Sequence, residues 1–273
     1  MSIATYDQLI AGLAAGQSFY FSKASIANQG AAGFTSLWRA TGVPTQPSIP
    51  TATVTTCVTA LSDTTGAFNY GMTVATGLTA YFSNFAISGS ASHTVYIADR
   101  LVHNGGLVAN ATTLNTFNSF DLPTDRGLDL TNYSDTRWFY EIYTDIGTTG
   151  TTVTFTYDSP TSSAQTVVVA IGGTSPLNRA GRMFQIPPNS GHPIVRIKSA
   201  RLTATTGTAG SWGIVAVKTL ASLNMGQANI GVNLDFAQLG FNDIPSTAHL
   251  FLFLISSTTA SGTINGLFRI ARG

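Results

Sequence analysis

Glu141 is the one glutamate of the chain; the rest of its 12 acidic residues are aspartates. It stands in Trp138-Phe-Tyr-Glu-Ile-Tyr143, a carboxylate among aromatic rings, which is a composition that sugar sites also use. Glycoside hydrolysis needs a second carboxyl group facing the first across a cleft, a placement that spacing along a chain does not supply. An ion pair with Arg137 or Arg100 is the simpler fate of a strand glutamate. Asp121, Asp125, Asp129 and Asp135 gather in one polar segment. Oxygen ligands on such a loop suit Ca²⁺, but the alternating D-x-D-x-D-G spacing of an EF-hand is not there. Aspartate also favours turns, accepting hydrogen bonds from its own backbone, and on that reading these four hold no metal.

The other reactive residue types are scattered. His93, His103, His192 and His249 form no H-x-H or H-x-x-x-H pair, so the sequence carries no local zinc motif. Cys57 is the only cysteine, which rules out an intrachain disulfide and an all-cysteine zinc site. Gly172-Gly173 and Gly207-Thr-Ala-Gly-Ser-Trp-Gly213 are glycine-rich, yet neither is a phosphate-binding loop nor opens a helix, and both read as tight turns. His103 beside Asn104-Gly-Gly106 also reads as a turn. Nothing here nominates a catalytic residue, a cofactor or a metal. A polysaccharide-cleaving enzyme is the main catalytic alternative.

The elements that would have to position these residues are nearly all strands. From about residue 52, short runs rich in Val, Thr, Phe, Tyr and Ile are punctuated by Gly, Asn, Asp and Ser. They include 53–58, 79–87, 94–97, 138–143, 166–171, 194–205, 212–217, 250–255 and 264–270. The clearest is Thr151-Thr-Val-Thr-Phe-Thr-Tyr157, with Val153, Phe155 and Tyr157 on one face and threonines on the other. Asp145-Ile-Gly-Thr-Thr-Gly150 before it suggests a hairpin back to Trp138–Thr144. The expected fold is an all-β antiparallel sandwich, with a jelly roll the best single match. The segments 103–136 and 219–247 are expected as end loops.

The first 50 residues read as an N-terminal arm and 51–273 as the sandwich domain. One short helix is signposted there: Thr5 and Gln8 stand in capping-box position, and Gly16 can end it. Tyr6, Leu9, Ile10 and Leu13 share its apolar face, for packing on its own domain or for docking on a neighbour. Residues 16–50 read as irregular, broken by Pro44, Pro47 and Pro50, with Trp38 and Arg39 as a packing anchor. These six residues are the expected interaction residues.

Charge then limits the partners. Charged residues are 9% of the 273, against roughly a quarter in an ordinary soluble domain. The net charge is +1 and no Lys/Arg run occurs, which argues against nucleic-acid binding. The start has neither the basic nor the apolar region of a secretory signal, and Leu250–Ile255 is far too short to span a membrane. Only three lysines stand against ten arginines, and arginine is enriched at interfaces, from whose cores charge in general is depleted. An assembly component is the class that fits.

Several segments together resemble a family of tailed-bacteriophage virion structural proteins: 95–107, 140–147 with 151–154, 180–187, 205–214, and the opening Ser36-Leu-Trp-Arg-Ala-Thr-Gly42 with its proline-rich continuation. The resemblance covers most of the chain. It implies a virion protein assembled in the host cytoplasm, head decoration (cement) or minor capsid in kind, with no catalytic residue to carry over. The expected partners are further copies of itself, as a homotrimer, and the major capsid protein. A head-fibre, tail or receptor- or glycan-binding role is the alternative. An arm of this kind leads to the expectation that removing residues 1–40 leaves a folded sandwich that no longer joins particles.

Overall fold

The structure is a computed structural model that describes residues 3, 5–51, 58–59, 65–68, 79–118, 120–240 and 242–273. Most of the run expected at 53–58, with Cys57, lies outside the described residues. The elements are α1 (Tyr6–Ala14), β1 (Gln17–Lys23), β2 (Phe34–Ser36), β3 (Gly42–Val43), β4 (Val58–Thr59), β5 (Ala80–Gly89), β6 (His93–His103), β7 (Leu107–Val108), β8 (Asn115–Thr116) and β9 (Thr136–Ile142). There follow β10 (Thr151–Asp158), β11 (Gln165–Ile171), β12 (Arg182–Gln185), β13 (Arg196–Leu202), β14 (Ser211–Met225), β15 (Val232–Asp235), β16 (Asp243–Ile244), β17 (Leu250–Ser256) and β18 (Ile264–Arg272). Every described strand pair is antiparallel.

The expected antiparallel sandwich is present, and its middle layer closes on itself. In the eight-stranded sheet β6 pairs with both β17 and β14, so β6-β17-β2-β12-β9-β14 form a ring. Closure removes the unpaired edges that an open sheet exposes. A six-stranded sheet, ordered β15-β5-β18-β1-β3 with β16 also on β5, packs on one stretch of the ring's wall. Phe21, Phe82, Phe85, Phe268 and Ile270 of that sheet meet Val95, Ile97, Leu223, Leu250 and Leu252. A four-stranded sheet, β11-β10-β13-β8, packs on another stretch, where Val153, Phe155 and Tyr157 meet Trp138, Tyr140, Trp212 and Ile214. Inside the ring lie Phe139, Val215, Val217, Phe251, Phe253 and Met183, with Trp38 beside them.

The N-terminal 50 residues are built into this body rather than held away from it. Thr5 and Gln8 do cap α1 reciprocally, each backbone N–H donating to the other's side chain at 3.2 Å. Residues 17–23, read as irregular, instead pair with β18 along their whole length. Their local signal is the alternation of Phe19 and Phe21 with Ser18, Tyr20 and Ser22. Strand β2 supplies a stave of the ring, paired with β17 and β12. Lys23 is buried, donating from Nζ to the carbonyls of Ala40 and Pro44, and burial lowers its pKa to about 8. A cut after residue 40 would remove β1 and open the ring at β2, so the expectation that the sandwich survives it is withdrawn.

Two connections also differ. β9 lies in the ring and β10 in the four-stranded sheet, so Asp145–Gly150 is a crossover between layers and not a hairpin. The Gly147 N–H donates to Thr206 Oγ1 at 3.0 Å, and a Cβ there would stand 1.7 Å from the Thr206 carbonyl oxygen. Residues 219–225, expected in a loop, continue β14 along β6.

Candidate functional site

The titratable residues converge inside the ring. Register places His103 opposite Val215, Arg100 opposite Val217 and Glu141 opposite Gly213, all pointing inward with their partners. Arg100 Nη2 donates to Glu141 Oε2 at 2.6 Å and to the Tyr143 hydroxyl at 3.2 Å, and Arg100 Nε donates to His103 Nδ1 at 3.2 Å. Of the two partners the sequence left open for Glu141, the structure selects Arg100. The Trp38 ring lies 3.9 Å from the Arg100 guanidinium carbon, and its Nε1 donates to His249 Nε2 at 2.9 Å. A second pair adjoins: Arg126 Nη1 donates to both oxygens of Asp99 at 2.7 and 2.8 Å, and Asp99 Oδ1 also accepts the His249 N–H.

This centre is sealed. Arg100, Arg126 and Asp99 are wholly buried and Glu141 is 1% exposed. A carboxylate so enclosed and ion-paired meets no substrate, which removes Glu141 from the sugar-cleaving reading. The centre locks the ring. Burial, then the Arg100 and His249 charges, push His103 well below its usual value near 6.5. The folded state therefore holds His103 neutral while the unfolded chain takes up a proton below about pH 6.5. Stability is expected to fall as pH drops from there, and His103→Gln should flatten that slope in denaturation measured from pH 7 to 5.

Of the four aspartates, Asp129 makes the expected turn. Asp129 accepts from the backbone of Thr131 and Asn132 and from the Ser134 hydroxyl. The Asn132 N–H, then the Ser134 hydroxyl, hold its carboxyl below the usual range. Asp135 faces Lys218, Asp121 faces Arg196, and Asp125 faces Arg126 and accepts from Thr247.

The expected interaction residues divide. Tyr6 and Ile10 are 86% and 64% exposed, whereas Leu9 and Leu13 are partly covered. Helix α1 lies on β18 through Gly12, where a Cβ would stand 2.5 Å from the Arg272 carbonyl oxygen. Trp38 is 3% exposed and belongs to the ring's interior, and Arg39 is half-buried beside it. Trp38 packs as an anchor within the body, and Tyr6 and Ile10 are the members of the six most open to solvent.

Among the described residues the interior of the fold also takes up charge. Lys23, Asp99, Arg100, Arg126, Glu141 and Arg182 are all buried, so the outside is more neutral than the composition. On the four-stranded sheet the outward positions are Thr152, Thr154 and Thr156 beside Thr166, Val168, Ala170 and Ser199, with Arg201 among them and the paired Asp158, Arg196 and Lys198 toward one end. On the six-stranded sheet Tyr20, Leu267, Ala86 and Asn233 form one cross-strand row, and Ser22, Asn265 and Ser88 the next. These rows floor a shallow groove of about 520 Å³. The sequence reading missed it, because β1 itself was missed.

No protein-family model matches the chain, and no curated protein matches it. Among solved structures, the chain is similar to the infectious bursal disease virus VP2 subviral particle at 9% identity and a TM-score of 0.19, over 94% of this chain and 80% of that one. It is similar to T=1 particles derived from infectious bursal virus at 11% identity and a TM-score of 0.19, over 94% and 77%. Backbones that superpose this poorly do not define a shared fold.

Proposed function

We propose that this chain is a non-enzymatic structural protein of a bacteriophage particle, a head decoration protein that oligomerises and reinforces the capsid lattice. The observation that carries the reading is the sparsely charged exterior. Two β-sheet faces present mostly hydroxyl, amide and apolar side chains, with Asp158, Arg196, Lys198 and Arg201 on one and Arg269 and Asp235 on the other, while six charged residues are spent inside the fold. Surfaces of this kind suit protein contacts that exclude water, where charge is depleted. The sequence resemblance to virion structural proteins supports the same reading and supplies the phage particle. The partners are further copies of the chain, as a trimer, and the major capsid protein.

Tyr6 and Ile10, on the outer side of α1, are the docking residues of this proposal. Each apolar side chain buried on assembly contributes about 1.5–3 kcal/mol. Tyr6→Ser with Ile10→Ser is therefore expected to weaken attachment to heads by at least about tenfold without lowering thermal stability. Sedimentation with heads lacking the protein measures the first and calorimetry the second. Location in an intact particle by electron microscopy tests the whole reading: density on the tail or fibre would overturn the head assignment.

A further inference from the structure

The groove on the six-stranded sheet has an arrangement that the particle reading does not require. Tyr20 of β1, Leu267 of β18 and Ala86 of β5 stand directly across from one another, so three strands about 4.8 Å apart give an apolar floor roughly 10 Å wide. Tyr20 is 71% exposed, its ring open to solvent. Around that floor are Asn233, Asn265 and Ser88, and no charged residue lines the groove. Asn84 Nδ2 donates to Asn233 Oδ1 at 2.8 Å, which orients that amide and leaves its Nδ2 as an unspent donor. The Asn265 amide, the Ser88 hydroxyl and the Tyr20 hydroxyl make no side-chain hydrogen bond among the described residues.

A ligand matching this lining has an apolar face for the tyrosine ring, a rim of hydroxyls for the amides, and no charge. We propose that the groove binds a neutral saccharide, one or two pyranose rings long, with Tyr20 stacking on a sugar face and Asn265, Asn233 and Ser88 reading its hydroxyls. An aromatic ring offers area at small entropic cost, and each amide supplies both a donor and an acceptor to the alternating hydroxyls of a sugar. A charged sugar would lose water there without gaining an ion pair. The inference stands apart from the head-decoration reading, since a saccharide site needs no lattice.

The test is a titration of the full chain, followed by backbone amide NMR, with methyl glycosides of glucose, galactose, mannose and N-acetylglucosamine and with maltotriose. Glucuronate and N-acetylneuraminate form the charged arm. At least one neutral sugar is expected to give saturable shifts confined to β1, β5, β15 and β18. Tyr20→Ala should weaken that binding by about tenfold, and Asn265→Ala should also weaken it, both with unchanged thermal unfolding. Absence of saturable shifts from every neutral sugar at about 20 mM overturns the proposal. So does equal binding of the charged sugars, or binding indifferent to Tyr20→Ala. Shifts at the groove that follow protein concentration and not sugar overturn it in favour of a second copy of the chain.

Discussion

Arg126→Ala is expected to lower the unfolding free energy by about 3–5 kcal/mol, the largest effect of any arginine replacement outside the ring. The Arg126 side chain descends from the loop between β8 and β9 to reach Asp99 on β6, and neither group touches water. Removing the guanidinium leaves a carboxylate enclosed by protein, with the His249 N–H as its remaining close donor. Burial already pushes Asp99 above the usual carboxylate range, against the opposing pull of Arg126. Without Arg126 its pKa rises further, so native Asp99 holds a proton that the unfolded chain has lost. Stability of the variant then falls as pH rises from the unfolded carboxylate value near 4, and the penalty is full only above the raised native pKa. Urea denaturation from pH 4 to 7 measures this. Arg137→Ala, at an exposed position of β9, should change stability by less than ~0.5 kcal/mol. Replacing the pair together, Arg126→Met with Asp99→Leu, should recover most of the loss, because the cost lies in an uncompensated charge.

Trp38→Ala is expected to cost about 3–5 kcal/mol by the same measurement. The indole fills space beside the ring's interior, covers the Arg100 guanidinium and donates to His249. Trp38→Phe keeps most of the packing and loses that hydrogen bond, for which about 1 kcal/mol is the expected cost. This separates an anchor from a partner contact. A Trp38→Ala protein of unchanged stability that no longer joined particles would contradict the buried position. The residues before it carry the same weight: β2, three residues long, closes the ring between β17 and β12.

Much of this molecule follows from local pattern. The alternation in Thr151–Tyr157 sets Val153, Phe155 and Tyr157 inward because successive side chains of a strand point to opposite faces. Thr5 and Gln8 start α1 because a hydroxyl and an amide three residues apart satisfy the helix's first free donors. Asp129 makes its turn for reasons contained within a few residues, accepting from Thr131, Asn132 and Ser134. These features need no knowledge of what lies across the fold, and neither does the scarcity of charge.

Tertiary structure alone decided the rest. Phe34-Thr-Ser36 carries no distinctive period, and it is a strand because β17 and β12 leave a gap that it closes. Asp145–Gly150 has the composition of a hairpin, yet it changes layers because β9 finds its partners in β12 and β14. Glu141 had two candidate partners in the sequence, and the inward register of β6 and β9 chose Arg100. The sequence determined that this chain is a weakly charged, antiparallel β protein. Where its few charges went was settled by pairing between distant strands, since desolvation depends on what surrounds a group in space and not on its neighbours along the chain.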